Sequence, residues 1–386
     1  MKRRLIWIMA VTSGAAAANL YYNQPLLVII AQNFQVSARE VGLIPMLTQI
    51  GYAVGMLLLV PLGDLLERRR LILTMSGVTT IALLATAISP NLIWLSIASL
   101  MTGIATISAQ LIIPFAAQLV KPQERGKVVG IIMGGLLIGI LLARTVSGFM
   151  GARFGWRAVY WLASGITIVL AVALSRTLPK SKPSLRASYT GLMVSLFTLL
   201  REQPVLREAS ALGAMCFGAF SAFWSTLAFL LAQPPYHYGS EVTGLFGLVG
   251  VVGATAAPVV GRIADRRSPR LAVGLAIAIT AASFVVFWLF GYQIWGLIIG
   301  VILLDLGVQA NQVSNQVRIY RLPPEAHSRL NALYITFYFI GGALGSVLGT
   351  LGWSHWHWNG VCGTAGVMLL TACVVYLRGV KSKAET

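Results

Sequence analysis

The stretch Gly63-Asp64-Leu65-Leu66-Glu67-Arg68-Arg69 follows one long hydrophobic run and begins the polar connection to the next. A second stretch of the same type, Gly261-Arg262-Ile263-Ala264-Asp265-Arg266-Arg267, follows another hydrophobic run 198 residues later. Because landmarks around both stretches recur in the same order, the chain is predicted to contain two copies of one unit. The other landmark pairs, 201 or 202 residues apart, are Glu40 and Glu241, Trp156 and Trp358, and Gly165 and Gly366.

The composition is that of a membrane protein. Of 386 residues, 57% are hydrophobic and 10% are charged, whereas soluble domains carry about 25% charged residues. A spanning helix needs roughly 20 mainly apolar residues, and twelve runs of suitable length occur, which leaves no room for a sizeable soluble domain. These predicted spans 1–12 are residues 5–31, 41–62, 71–88, 92–119, 128–151, 158–178, 205–232, 242–261, 271–290, 293–317, 329–350 and 358–378.

The basic residues set the expected orientation. The net charge is +18, but the cations occur in small clusters between apolar runs, which argues against a nucleic-acid partner. Placing both termini in the cytoplasm puts all but four of the 29 Lys and Arg residues on the cytoplasmic side, as the positive-inside rule requires. Arg39, Arg153 and Arg157 fall outside, and Arg144 falls within a span. We expect a multi-pass protein of a bacterial cytoplasmic (inner) membrane.

The expected architecture is all-α, with two pseudo-symmetric bundles of six helices each. Residues 1–178 form the first bundle, residues 179–204 a cytoplasmic linker, and residues 205–386 the second bundle. Parallel repeats of this kind are known in transporters. The three cysteines lie in apolar runs without metal-ligand spacing, and no phosphate-binding Gly-rich loop occurs. We therefore expect no catalytic site, no metal and no cofactor.

The repeated Gly-x-x-x-acid-Arg-Arg loop and the long middle linker resemble the major facilitator superfamily. Within it, three stretches resemble bacterial drug:proton antiporter-type efflux proteins: residues 19–25, 144–148 and 305–309. The chain departs from that pattern by having Ala143-Arg144 near the usual Gly-Pro of span 5, and no arginine in span 4. The resemblance implies the major facilitator fold. In that fold spans 1, 4, 7 and 10 line a central cavity, while spans 2, 5, 8 and 11 form the interface between the halves.

The two repeated loops are predicted to form cytoplasmic gates. Their carboxylates can pair with arginines and cap helix ends, so the contacts would hold one conformation and break in the other. The alternative is that these charges only anchor each loop among the lipid headgroups. The gate residues are Gly63, Asp64, Glu67, Arg68, Arg69, Gly261, Asp265, Arg266 and Arg267.

Asp305 is the predicted proton-coupling residue. It lies twelve residues into span 10, roughly 18 Å along the helix, whereas the other acidic residues lie in loops or near helix ends. A carboxylate at that depth is costly and usually functional. Arg144 is the only basic residue that lies more than two residues from either end of a predicted span. We expect Arg144 and Asp305 to interact, directly or through water, in a way that changes with conformation; a static ion pair, or an arginine serving the outer interface, is the alternative.

Aromatic and amide side chains are predicted to line the solute cavity. Such mixtures suit an amphipathic organic solute, although some of these rings would face neighbouring helices instead. The predicted cavity residues are Asn19, Tyr21, Tyr22, Asn23, Gln24, Gln110, Phe223, Trp224, Gln309, Gln312 and Gln316.

Small residues recur every four positions in four spans, which allows close backbone contact. We interpret these rows as a smooth interface on which the halves rock; plain tight packing is the alternative. The rows include Gly135, Gly139 and Gly151 in span 5, Gly253 in span 8, Gly341, Gly345 and Gly349 in span 11, and Gly51 and Gly55 in span 2.

The sequence thus predicts a secondary active transporter that exports small organic molecules or drugs by proton antiport. The alternative is a proton symporter or uniporter that imports a nutrient. A membrane receptor or enzyme ranks last, since no sensor domain or catalytic group is visible. The expected partners are membrane lipid, a small organic solute and protons, with the proton gradient in place of a cofactor and the chain acting as a monomer.

Overall fold

The computed structural model describes residues 3–181, 188–265, 268–323 and 326–379, with the backbone alone for 254–265. Throughout these ranges the regular structure is helical, without strands. This confirms the predicted all-α membrane fold. The boundaries predicted for the two bundles and the linker remain predictions.

The first half contains spans 1 to 6. Span 1 comprises α1 (Arg3–Ala18), a short 3-10 turn and α2 (Leu27–Phe34), and the later spans are one helix or a few short ones. Those helices are α3 (Ala38–Val41), α4 (Leu43–Leu58) and α5 (Leu62–Leu65) in span 2, α6 (Arg68–Ala87) in span 3, α7 (Leu92–Ala105) and α8 (Ser108–Gln118) in span 4, α9 (Arg125–Phe154) in span 5, and α10 (Trp156–Thr177) in span 6.

The second half contains spans 7 to 12, after a helix in the linker that the sequence analysis did not predict, α11 (Tyr189–Glu202). The spanning helices are α12 (Pro204–Trp224) and α13 (Leu227–Ala232) in span 7, α14 (Ser240–Asp265) in span 8, α15 (Pro269–Phe290) in span 9, α16 (Ile294–Ile319) in span 10, and α17 (His327–Arg378) in spans 11 and 12.

The segment α17 contains two helical spans separated by a short break. Its backbone is non-helical at Trp356 and His357. The chain folds back there, because Thr364 donates a hydrogen bond to the carbonyl of Leu348 at 3.2 Å. Within the described residues, nine helices are long and apolar enough to cross a membrane, α17 among them. Its two arms, together with the shorter apolar helices of spans 1 and 8, bring the number of spans to twelve.

Spans 1, 4 and 7 are interrupted near their middles, where the sequence predicted continuous helices. The breaks fall at residues 19–23, 106–107 and 225–226. Each contains polar residues, and the freed backbone is buried within protein rather than against lipid, as a membrane interior demands. The sequence analysis missed the breaks because an apolar run shows length but not local hydrogen bonding. Spans 1, 4 and 7 belong to the set expected to line the cavity.

Glycines let spans cross closely inside each half. A Cβ built on Gly14 of span 1 would meet the backbone of Gly135 and Gly139 in span 5. In the second half, a Cβ built on Gly345 would meet the backbone of Gly218 in span 7. The interpretation that these rows form the interface between halves is therefore wrong for much of their length. Four-residue spacing permits close approach, but it does not say which neighbour approaches.

The two halves meet along spans 5 and 8 and along spans 2 and 11. The Thr145 hydroxyl donates to the carbonyl of Gly244 at 3.0 Å, and the Ser240 hydroxyl donates to the carbonyl of Gly148 at 2.9 Å. Gln49 of span 2 donates to the Ser346 hydroxyl of span 11 at 3.1 Å. With twelve crossings, both ends of the chain lie at one face, which we call the terminal face. These interhalf bonds lie in the middle or towards the opposite face.

Candidate functional site

The side chain of Arg144 is the centre of a buried polar and aromatic cluster. It is 1% exposed, and its Nε donates to the Oε1 atom of Gln24 at 2.7 Å. Its guanidinium carbon lies 3.8 Å from the ring centre of Trp224, 5.0 Å from that of Tyr21 and 5.5 Å from that of Phe220. Such stacking stabilises a desolvated cation. The cluster therefore joins spans 1, 5 and 7 across the boundary between the halves.

Asp305 lies on span 10 against the glycines of span 8. The residue is 3% exposed, and its Oδ2 atom has no hydrogen-bond partner among the described residues. A Cβ built on Gly250 would lie 2.9 Å from that oxygen. A buried polar atom without a hydrogen-bond partner is uncommon; such an atom belongs to a functional group or bonds an ordered water. The structure thus places a carboxyl group, not fully satisfied, inside the membrane-spanning region.

Arg144 and Asp305 flank the same stretch of span 8. A Cβ built on Gly247 would lie 2.9 Å from the Cβ of Arg144, one turn from the Gly250 contact with Asp305. Both charged side chains therefore lie against span 8 within one turn of each other. No ion pair within 4.0 Å joins them among the described residues, and Nη2 of Arg144 is likewise unpartnered there. In this conformation the predicted interaction is therefore not a direct contact.

A cavity of about 300 Å³ lies between the halves near the terminal face. The first half contributes residues of spans 2, 3, 4 and 5, and the second half contributes the end of span 10 and the start of span 11. Cavities of this size are at the lower end of those that bind small molecules. The polar residues of its lining are Asp64, Arg68, Gln110, Tyr320, His327, Ser328 and Asn331.

Several predicted cavity residues lie in or beside this space. Gln110 lines it and donates to the Tyr52 hydroxyl at 3.1 Å. Gln316 donates to Asn331, another lining residue, at 3.3 Å. Gln312 accepts a hydrogen bond from Tyr338 at 3.5 Å, and Gln309 is half-buried. The amides of Gln110 and Gln316 thus lie at or beside the space between the halves, and the cavity positions of Gln309 and Gln312 remain predictions.

Other predicted cavity residues occupy different places. Phe223 is fully buried and stacks on Phe287 of span 9, with ring centres 4.4 Å apart, inside the second half. Asn19 lines a small polar cavity of about 10 Å³ between spans 1, 3, 4 and 6 of the first half. Asn23 donates to the Thr48 hydroxyl at 3.3 Å, and Tyr22 is buried. The solute contacts predicted for these four residues remain predictions.

The gate loop of the first half contains a charge pair within its own half. Asp64 accepts from Arg68 at 2.6 Å, and Arg68 also donates to the carbonyl of Gly63 at 2.9 Å. Arg69 donates to the carbonyl of Ser175 at 2.6 Å, while a buried oxygen of Glu67 is unpartnered among the described residues. Asp64 and Arg68 line the cavity, so both the gate and the anchor interpretations stay open.

The gate loop of the second half lies largely beyond what the structure describes. The backbone of Gly261 and Asp265 belongs to the end of α14, and their side chains are not described. Arg266 and Arg267 lie outside the described residues.

The sequence analysis missed a second buried charge cluster, between spans 7, 9 and 10. Arg318 is 2% exposed and donates to the Oε2 atom of Glu208 at 3.1 Å. Arg270 approaches the other carboxylate oxygen to 3.8 Å. Arg318 also contacts Asn315 at 3.4 Å. Predicted span 10 ended at residue 317, so Arg318 was expected in a loop; this is wrong, because α16 continues to Ile319. Arg318 lies seven residues, or two helical turns, after Asn311, and this spacing could have predicted that both share one face of span 10.

Comparison with known proteins supports the same fold and class. The chain is 43% identical over 375 residues to the putative uncharacterized transporter YgaY of Escherichia coli strain K12, covering 97% of this chain and 95% of that protein. It is 26% identical over 339 residues to a probable sugar efflux transporter of Helicobacter pylori, covering 84% of this chain and 82% of that one.

A solved structure has the same fold. A bacterial homolog of the human lysosomal transporter Spinster, in an inward-facing and unoccupied conformation, matches with a TM-score of 0.78 at 14% identity over 98% of this chain and 97% of its own. Residues 6–320 match the model of the Major Facilitator Superfamily. With that match and the 43% identical relative, the chain belongs to the Major Facilitator Superfamily of membrane transporters.

Proposed function

We propose that this transporter exports small organic molecules in exchange for protons, by alternating access. The observation that carries the proposal is Asp305, a buried carboxyl group whose Oδ2 atom is unpartnered within the described structure and which lies against span 8 one turn from Arg144. Burial favours the neutral carboxyl, and a nearby cation favours the carboxylate. A group held between these influences can take up and release a proton when its surroundings change.

The arrangement of the two halves supports alternating access. The bonds between spans 5 and 8 and between spans 2 and 11 connect the halves away from the terminal face, where the 300 Å³ cavity lies. We propose that the terminal face is cytoplasmic, as the basic loops indicate, and that this conformation faces inward. In the outward-facing state those bonds would break and the cavity would close.

The solute class follows from the lining and from one relative. Amides, a tyrosine and a histidine line the cavity beside apolar side chains. This mixture suits a small molecule that bears both hydrogen-bonding groups and an apolar part. The similarity to a probable sugar efflux transporter supports export of such a solute. We propose a monomer in a bacterial inner membrane, driven by the proton gradient without a cofactor.

Flux into proteoliposomes tests the proposal. Purified protein would be reconstituted, and uptake of labelled sugars and of a cationic dye measured with no gradient and with each sign of pH gradient. Antiport predicts that an acidic lumen drives uptake into the vesicle. The runner-up, symport, predicts that an alkaline lumen does so, and a uniporter would respond to neither gradient. Vesicles without protein, and vesicles with a proton ionophore, are the controls.

A further inference from the structure

The Arg144 guanidinium has an incomplete set of partners. Its Nε donates to Gln24, while Nη2 is buried and, over the residues that the structure describes, has no acceptor. Arginine carries five N–H donors and stays charged in proteins. An amide oxygen satisfies one donor but supplies no compensating charge. The partner that would supply it is the carboxyl group of Asp305, whose Oδ2 atom also has no partner among the described residues and lies beside Gly250, one turn along span 8 from Gly247.

The groups around Arg144 narrow the possible partners. Two titratable groups lie nearby: Tyr21 on span 1, whose ring centre is 5.0 Å from the guanidinium carbon, and Asp305 on span 10, which lies against span 8 one turn away. From span 7 it faces the rings of Phe220 and Trp224, and from span 8 it faces glycine. Within this described set, Gln24 is the neutral acceptor and Asp305 is the acidic one.

We propose that Gln24 and Asp305 are alternative partners of Arg144, so that Gln24 holds the guanidinium while Asp305 is protonated. This inference rests on the proposed proton coupling of Asp305. When the proton leaves, the carboxylate attracts Nη2, and the guanidinium moves from the amide to the acid. Gln24 is then a positioning residue that acts through Arg144.

The neutrality of Gln24 matters in this exchange. A charged acceptor at position 24 would hold Arg144 in both protonation states, because charge-assisted hydrogen bonds are roughly twice as strong as neutral ones. An apolar residue would leave Arg144 with Asp305 as its available acceptor. An amide lies between these cases. It satisfies a buried donor, yet it releases that donor to a carboxylate.

Two substitutions should therefore shift the pH profile of transport in opposite directions. Gln24→Glu removes Arg144 from Asp305, so proton release from Asp305 needs a higher pH and the profile should move upward by about one unit, a tenfold change in proton concentration. Gln24→Leu sends Arg144 to Asp305, so the profile should move downward by a similar amount. Gln24→Asn keeps a neutral amide and should move it least. The measurement is pH-dependent flux in proteoliposomes.

Thr48→Ala is the control and should leave the pH profile in place, because it removes a buried polar group nearby that bonds Asn23 and not Arg144. The inference would be overturned if the pH profiles of Gln24→Glu and Gln24→Leu shifted in the same direction, or if both equalled the wild-type profile. If Gln24→Leu does not fold, Gln24→Glu and Gln24→Asn still carry the test. Wild-type flux without any proton dependence would instead overturn the proposed function, so the two failures can be told apart.

Discussion

The crossing of spans 2 and 4 and the crossing of spans 8 and 10 are built on the same frame. A Cβ on Gly51 would meet the carbonyl of Leu100 and the amide of Ile104. Equivalent contacts recur 202 residues later, where a Cβ on Gly253 would meet the carbonyl of Ile302 and the amide of Leu306. The same two backbone contacts therefore occur at this point in both halves.

The side chains beside these two glycines differ. In the first half Gly103 packs against the backbone of Thr48. In the second half the corresponding residues, again 202 positions later, are Asp305 and Gly250. The glycine of this contact belongs to span 4 in the first half and to span 8 in the second half. In the second half the carboxyl group of Asp305 occupies the space beside it. The backbone packing is thus common to both halves, while the proposed coupling site lies at a position where their side chains differ.

Arg144 marks a second departure from the repeat. Gly42 of span 2 lies against the side chain of Thr350, and Gly244, 202 residues later, lies against the backbone of Arg144. The residue 202 positions after Arg144 is Ser346, which accepts a hydrogen bond from Gln49 of span 2, so a neutral serine in one half corresponds to the arginine in the other. Both buried charges of the site are on the side of the molecule where span 8 crosses its neighbours. The crossing of spans 2 and 4 is neutral.

The largest effect should follow from removing the charge that distinguishes the two crossings. Asp305→Asn keeps the shape of the side chain but cannot release a proton. We expect uphill, pH-driven flux in proteoliposomes to fall to the background of empty vesicles, while the protein stays folded and exchanges solute down its gradient. Undiminished pH-driven flux in this variant would remove Asp305 from the mechanism and leave the comparison without functional meaning.

A smaller effect should show that the two frames are equivalent. Gly51→Val and Gly253→Val each force a side chain into a helix backbone, and overpacking of this kind costs about 1–3 kcal/mol. We expect both variants to lose thermal stability by similar amounts, measured as the Tm of the detergent-purified protein. Gly77→Val is the control, because a Cβ there meets nothing within 4 Å among the described residues. If only one of the two substitutions lowered the Tm, the two crossings would not be equivalent.

The smallest effect should follow from changing Gly250 of span 8, which packs against Asp305, or the equivalent Thr48 of span 2, which packs against Gly103. Gly250→Ala places a methyl group 2.9 Å from the Asp305 carboxylate oxygen, so the carboxyl must shift. We expect pH-driven flux to fall about threefold to tenfold, equal to roughly 1 kcal/mol of lost interaction. Thr48→Ala, the matched change in the first half, should leave the pH dependence unaltered. If pH-driven flux fell equally in the two variants, the contact between Gly250 and Asp305 would have no special role in proton coupling.

Hydrophobic length and the repeat were enough to predict the spans. The runs around Leu92 or Trp358 need no partner to show that they cross a membrane, because apolar length alone decides that. The breaks near Asn19 and Ser225 were not predictable, since a helix interruption depends on which buried neighbours accept the freed backbone groups. The hairpin at Trp356 and His357 was predicted only as a gap between two apolar runs.

Residue type likewise pointed to part of the site. A lone acid in span 10 and a lone arginine in span 5 identified Asp305 and Arg144, because an isolated charge in an apolar run is costly wherever it lies. The partners of that arginine did not follow from residue type. Gln24 and Trp224 were assigned to a solute cavity, and the structure places both against the guanidinium. Glu208 and Arg318 looked like ordinary charges near helix ends.

The class of the protein, its number of spans and the duplication could be predicted from the amino-acid sequence, because all three follow from the order of apolar and charged residues along one chain. The folded arrangement was needed to show which glycines lie inside a half and which lie between halves, and which acceptor holds Arg144. Those choices depend on helix rotation and on distant neighbours, and a local pattern cannot specify either one.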